Sequence, residues 1–301
     1  MATTQNITST YAGADAGIYI SAAIKSADTI EKGVIEILPN IKYKSVIHRL
    51  EYGDGTTDFA CDFTPAGSVT LSEKILAPKK LMVNLELCKE NYINTWEAES
   101  MGFGANNENL PTEFSKYFIA KVLETQAYKI DKDIWQGEDS NDGEFAGFIP
   151  AWSADGNVVK IASPAAITSA NVIEKLGEVY DAIPESILSK PDLQFVVSPN
   201  VARAYRRALS ALGFRNDYTV GEKPLDFEGV DLIVLSGFPT NTMAVFQKAN
   251  VYFGTGLLSD QQEVSTLDMA DKDLSDNVRF KMVYTGATQY VVSEEIVLYT
   301  V

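Results

Sequence analysis

Residues 41–76 read IKYKSVIHRLEYGDGTTDFACDFTPAGSVTLSEKIL, and two strands with an elaborated connection are legible in them. Residues 41–52 (Ile41 to Tyr52) and 69–76 (Val69 to Leu76) have strand composition. In the second, Val69, Leu71 and Ile75 fall on one face and Thr70, Ser72 and Lys74 on the other, because side chains alternate across a strand. Gly53-Asp54-Gly55 and Pro65-Ala66-Gly67-Ser68 are turn-like. Between them Phe59, Cys61 and Phe63 alternate with Asp58, Ala60, Asp62 and Thr64, which predicts a short strand with one aromatic face. The sum is a long two-stranded ribbon with an elaborated tip. A lone hairpin is marginal in water, and a long connection inside a compact domain points to function. The ribbon therefore needs a surface to lie on, either its own domain or a neighbouring subunit. Phe59, Cys61 and Phe63 are the candidate contact residues of its tip.

Upstream, residues 1–40 are rich in Ala, Thr, Ser and Gly, and their substantial apolar run is Val34-Ile35-Glu36-Ile37-Leu38, closed by Pro39. Such an arm has too little apolar surface to fold alone and is expected to be disordered or extended against another surface. Downstream, Pro78 ends the ribbon and Leu81 to Cys88 reads as a strand. Residues 89–100 read as a short helix carrying Tyr92, Ile93 and Trp96, and residues 101–109 as a Gly/Asn loop. Pro111 suits a first helical position, and no further Pro or Gly occurs before Gly137. Phe114, Phe118 and Val122 share one face, which Leu123, Ala127, Ile130 and Ile134 continue. This predicts a helix of about 25 residues and about 38 Å. Lys116, Lys121, Glu124, Lys129, Asp131 and Lys132 make it amphipathic rather than a membrane span.

The second half alternates helix and strand. Thr168 or Ser169 is the expected cap of a helix carrying Val172, Leu176, Val179, Tyr180 and Ile183 at helical spacing. Leu193 to Val197 is a strand, and Ser198-Pro199 starts a helix to Leu212 that Gly213 closes. Val230 to Leu235, Met243 to Gln247 and Val251 to Gly254 read as short strands. Val278, Phe280 and Met282 alternate with Arg279 and Lys281, and Tyr290 to Val301 reads as a final strand. The fold class is α+β.

Composition removes most catalytic chemistries. The 301 residues are 46% hydrophobic and 22% charged, with a net charge of −16. An acidic chain does not grip polyphosphate, so tight direct nucleic-acid binding is excluded. His48 is the only histidine and sits in a strand-like run, where a half-exposed strand histidine is the expected reading. Cys61 and Cys88 read as free thiols of a reducing compartment. Zinc sites need three or four Cys or His ligands, and neither C-x-x-C nor H-E-x-x-H occurs. No run of 18 apolar residues exists, and Met1 to Thr10 is polar and uncharged, so no membrane span or signal peptide is expected. Gly254-Thr255-Gly256-Leu257-Leu258-Ser259 lacks the third glycine of a dinucleotide loop and reads as a turn. Asp271-Lys272-Asp273-Leu274-Ser275-Asp276 has Asp where a calcium loop needs Gly, and Met282 where it needs a bidentate Glu, so it reads as an acidic hairpin loop. Glu294-Glu295 would face opposite ways on a strand. Arg203, Arg206 and Arg207 form the densest basic cluster, suited to ion pairing at a subunit contact. No catalytic residue, cofactor or metal site is expected.

The order of these parts resembles the major capsid proteins of tailed double-stranded DNA bacteriophages, the Hong Kong 97-type fold. Local phrases are similar too. Residues 127–137, from Ala127 through Trp135 to Gly137, resemble the end of that family's spine helix. Phe195-Val196-Val197-Ser198-Pro199 resembles its axial strand-to-helix step, and residues 238–246 its proline-containing turn before a strand. The resemblance implies an N-terminal arm at 1–40 and an extended loop at 41–80. A peripheral domain follows at 81–162 with the spine helix at 111–136. It also implies an axial domain at 163–259, return strands at 260–287 and a C-terminal axial strand at 288–301. The implied function is a non-enzymatic shell protein that self-assembles into hexamers and pentamers of an icosahedral head. That head encloses DNA without sequence-specific binding, in a virion assembled in the host cytoplasm. Implied partners are the portal, a separate scaffolding protein, and decoration or head-completion proteins. An encapsulin compartment shell is the alternative. Some family members crosslink a loop lysine to a neighbour's asparagine. Residues 53–68 contain no lysine, which implies a non-covalent shell.

Overall fold

Alternating and continuous apolar runs sort this chain into two sheets and a ribbon. The computed structural model describes residues 28–59, 61, 66–88, 112–162, 164–213, 225–256, 264–269, 272, 275 and 277–301. The expected arm up to residue 27, the short helix at 89–100, the loop at 101–109, Phe63 and most of Asp271 to Asp276 lie outside the described residues. The elements are α1 (Asp28–Glu31), β1 (Glu36–Leu38), β2 (Ser45–Tyr52), β3 (Val69–Leu76), β4 (Lys79–Cys88), α2 (Thr112–Gln136), α3 (Phe148–Ala154) and β5 (Val159–Lys160). They continue as α4 (Val172–Asp181), α5 (Glu185–Leu188), β6 (Leu193–Val197), α6 (Pro199–Ala211), β7 (Leu225–Phe227) and β8 (Val230–Val234). The last are β9 (Met243–Gln247), β10 (Val251–Gly254), β11 (Val264–Asp268), β12 (Asn277–Tyr290) and β13 (Val297–Tyr299).

β12 is the axis of a five-stranded sheet. Its first half pairs with β4 on one side and β11 on the other, its end pairs with β10, and β1 adds parallel to β10. Val278, Phe280, Met282 and Tyr284 point into the core while Arg279 and Lys281 face solvent, as alternation predicts. A six-stranded sheet runs β5-β13-β9-β6-β8-β7. Its central strands β6, β9 and β13 are apolar on both faces, the pattern of a sheet covered on both sides. Phe195, Val197, Val245 and Tyr299 face the layer of α4 and α6. Val196, Ala244, Phe246 and Leu298 face the second core, where α2 and α3 deliver Trp135, Phe148 and Trp152.

The long helix α2 runs 25 residues. Val122, Ile130 and Ile134 of its predicted apolar face are buried, but so are Asp131 and Asp133. That corrects the placing of Asp131 on the helix's polar side. Its Oδ1 accepts the Thr29 N–H (2.9 Å), and Oδ2 lies against the Gly237 backbone without a well-formed hydrogen bond. A Cβ at Gly237 would stand 2.5 Å from that oxygen, so this approach requires glycine. Burial holds the Asp131 carboxyl above its usual range, and the Thr29 bond offsets this only in part.

At the end of α2 an acidic turn is tied down by one side chain. Glu144 accepts the Glu138 N–H (3.1 Å), the Asn141 carboxamide (3.1 Å) and the Lys129 ammonium (3.2 Å). In that order they lower its carboxyl from 4.5 to about 2. A depressed carboxylate stabilises the fold fully above its unfolded value, and the contribution is lost as pH falls through about 2. Glu144→Gln is therefore expected to destabilise the subunit at pH 7. Denaturant titrations of the two proteins should converge below about pH 4.5, and a gap independent of pH would refute this assignment.

Three further expectations are corrected. β2 begins at Ser45 rather than Ile41, because Asn40 turns through a left-handed conformation (φ 65°) and the Ile41 N–H bonds the Thr255 carbonyl (3.0 Å). Ile41 thus serves the ribbon's root. The helix α4 starts after Asn171, whose Oδ1 instead bonds the Thr168 N–H (2.8 Å), so neither Thr168 nor Ser169 is its cap. The final strand is not continuous from Tyr290 to Val301. β12 ends at Tyr290, the Asn250 carboxamide oxygen takes the Val291 and Val292 N–H groups, and Ser293–Glu295 form a 3-10 turn before β13. Glu294 and Glu295 therefore sit on a turn, and Glu294 reaches Arg49 (3.6 Å).

Candidate assembly surface

The ribbon pairs Ser45 with Leu76 through to Tyr52 with Val69 in unbroken antiparallel register. Period-two alternation gives it two unlike faces. On the inner face Leu76 is fully buried against Ile41 and Ala287, with Ile47 partly covered. Around this root the tethers are polar. Lys74 lies over the Tyr290 ring (5.2 Å), Arg49 reaches Glu294, and the Gln289 carboxamide donates to the Ile75 carbonyl (2.9 Å).

The outer face inverts the usual arrangement. Val46 opposes Ile75, Leu50 opposes Leu71, and Tyr52 opposes Val69. All six are exposed, with Leu50 at 68% and Leu71 at 59% of full accessibility, and no described residue covers them. The Val69, Leu71 and Ile75 face is thus formed as its alternation predicts, and it is the face turned away from the body. Patches this apolar are rare on monomeric proteins and mark contact sites.

Beyond Tyr52 the Gly53 N–H still bonds the Ser68 carbonyl (2.7 Å), and Asp54 accepts the Thr56 N–H (2.9 Å). Residues 53–59 are irregular, and most of the short strand expected over residues 58–64 lies outside the described residues. Phe59 is 95% exposed and Cys61 is an exposed free thiol. Arg203, Arg206 and Arg207 lie elsewhere, on the solvent face of α6, opposite buried Val201, Tyr205 and Ala208. The structure does not bring that cluster to the ribbon, and none of the three ion-pairs with a described acidic residue. Sequence reading singled out the tip but passed over Val46, Leu50 and Tyr52. Their alternation was the available signal, masked by His48 and Arg49 between them.

His48 is a half-exposed strand histidine, with Nδ1 3.5 Å from Glu73 Oε1. Among the described residues no cluster of three or more His, Cys, Asp or Glu side chains is arranged to hold a metal ion, and no helix is long and apolar enough to cross a membrane.

Solved structures share this arrangement. The capsid of the native GTA particle matches over 94% of this chain and 92% of its own, at TM-score 0.61 and 12% identity. The capsid of Myoviridae phage XM1 matches over 91% of each chain at TM-score 0.58 and 13% identity. The fold is the Hong Kong 97-type capsid fold. The capsid of cyanophage P-SCSP1u agrees with this, at TM-score 0.58 and 11% identity over 93% of this chain and 90% of its own. No protein-family model matches the chain, and no curated protein sequence does. Identities this low leave the Hong Kong 97-type likeness in the path of the backbone rather than in shared side chains.

Proposed function

We propose that this chain is a phage major capsid protein that self-assembles into hexamers and pentamers of an icosahedral head around double-stranded DNA. One observation carries the reading beyond the fold: an apolar ribbon face that the subunit's described residues leave uncovered. A second copy is the occupant that suits it, since each subunit of a closed shell offers the same face to its neighbour. The ribbon at 41–80 is then the extended loop, and α2 is the spine helix of a peripheral domain. The sheet of β6, β8, β9 and β13 belongs to the axial domain. Portal and scaffolding proteins are the expected partners, and the virion is the location. A net charge of −16 suits a container that holds DNA without gripping it.

At the tip, Phe59, Cys61 and Phe63 anchor the contact, and Arg203, Arg206 and Arg207 pair with acidic groups of neighbours. Phe59→Asp is expected to leave a folded subunit and prevent particle closure, scored by negative-stain microscopy beside a melting curve. Normal heads from that protein would remove the tip from the contact. The decisive test of the function is electron microscopy of the purified protein, with nucleic-acid content read from the absorbance ratio. Closed shells holding DNA after infection support a capsid, and shells around a protein cargo support an encapsulin. A chain that stays monomeric under all assembly conditions refutes both.

A further inference from the structure

One polar pair interrupts the apolar outer face of the ribbon. His48 stands directly opposite Glu73 in the register, between the Val46–Ile75 pair and the Leu50–Leu71 pair. In the free subunit their side chains are 54% and 58% exposed, so water solvates both. A surface closing over the flanking apolar pairs strips that water from the centre of the face as well.

The surrounding charges give Glu73 little other help. Arg49, Glu51 and Lys74 lie on the inner face, where Arg49 is held by Glu51 (2.8 Å) and Glu294, and Lys74 lies over Tyr290. Lys44, just before β2, lies over the Tyr43 ring. The Tyr52 phenol is the other titratable group of the outer face. Among the described residues His48 is the cation-forming group that pairs with Glu73. A carboxylate enclosed in an apolar contact is costly unless a charged, hydrogen-bonding partner accompanies it. Imidazole supplies one by accepting a solvent proton, and its charge changes within about pH 5–8.

We propose that docking of this ribbon face onto a second copy of the chain takes up a proton at His48, so that the His48–Glu73 pair sets the pH range over which subunits associate. The proposal rests on the shell reading above and names a regulation of the same contact. No heavy-atom bond changes: a solvent proton moves to the imidazole, which then donates to the Glu73 carboxylate.

Sedimentation velocity of the full chain from pH 5.5 to 8.5 measures the linkage. One proton taken up per contact makes the association constant fall by up to about tenfold per pH unit in the upper part of that range. His48→Gln should lose that part of the slope. Glu73→Gln should reverse it, because an imidazolium would then be enclosed without a counter-charge. Equal slopes for the natural protein and His48→Gln overturn the proposal. Leu50→Asp with Leu71→Asp separates the two readings. If that protein associates normally, the ribbon face is not the contact and both readings of it fail. If it does not associate while the slopes stay equal, only the proton linkage falls.

Discussion

Leu50→Asp combined with Leu71→Asp is expected to give a subunit that folds as before and forms no closed particles. The two positions oppose each other on the outer face of the ribbon and belong to none of the three buried clusters. Two like charges directly opposite on a strand pair cost at most about 1 kcal/mol, because both carboxylates remain in water. The cores hold the melting transition where it was. In the proposed shell those carboxylates would enter a dry contact, where each unpaired charge costs several kcal/mol. The penalty recurs in every subunit, so no population of intact particles should survive it. Microscopy gives the assembly readout, and a melting curve monitored by circular dichroism shows that the subunit is folded. Leu50→Ile with Leu71→Ile keeps the face apolar and should assemble. Normal particles from the Asp pair would show that this face stays in solvent in the shell.

Elements built on regular periodicity were legible without coordinates, and those fixed by a distant partner were not. β3, β6, β9 and β10 begin and end where their apolar alternation or runs place them, because strand burial is written at period two. Ser198, Pro199 and Gly213 bracket α6 as their backbone preferences require, with Gly213 at φ 74°. Asp131 misled, because its burial depends on Thr29, more than a hundred residues away in sequence. The break after Tyr290 depends on Asn250, whose carboxamide takes over backbone groups that a longer strand would have paired. The outer ribbon face was only half legible. Alternation separates the two faces of β3, but the choice of face turned inward is made by Leu76, Ile41 and Gly254. A Cβ at Gly254 would stand 2.5 Å from the Leu76 side chain, so the root closes on glycine there.

Trp135→Ala is expected to lower the unfolding free energy by about 3–5 kcal/mol, the range for emptying a buried aromatic site. The Trp135 ring is fully buried and meets Phe238 at 4.6 Å, Phe148 at 5.3 Å, and Trp152 and Phe246 at 6.0 Å between centroids. Those rings come from α3, β9 and the turn before β9, all fixed by their own backbone bonds, so the site cannot collapse to fill the void. The indole also does polar work. Its Nε1 donates to Thr29 Oγ1 (2.7 Å), and the Thr29 N–H in turn reaches Asp131, so the side chain fastens α1 to α2. Trp135→Phe should keep most of the packing yet cost about 1–3 kcal/mol by leaving a buried hydroxyl without its donor. The Thr29 side chain also supports the buried Asp131 carboxylate, so the Trp135–Thr29 contribution is read as the coupling between Trp135→Phe and Thr29→Val, made singly and together. Denaturant titration of the four proteins closes the cycle. A coupling near zero would mean that the Trp135–Thr29 bond contributes nothing to holding α1 in place.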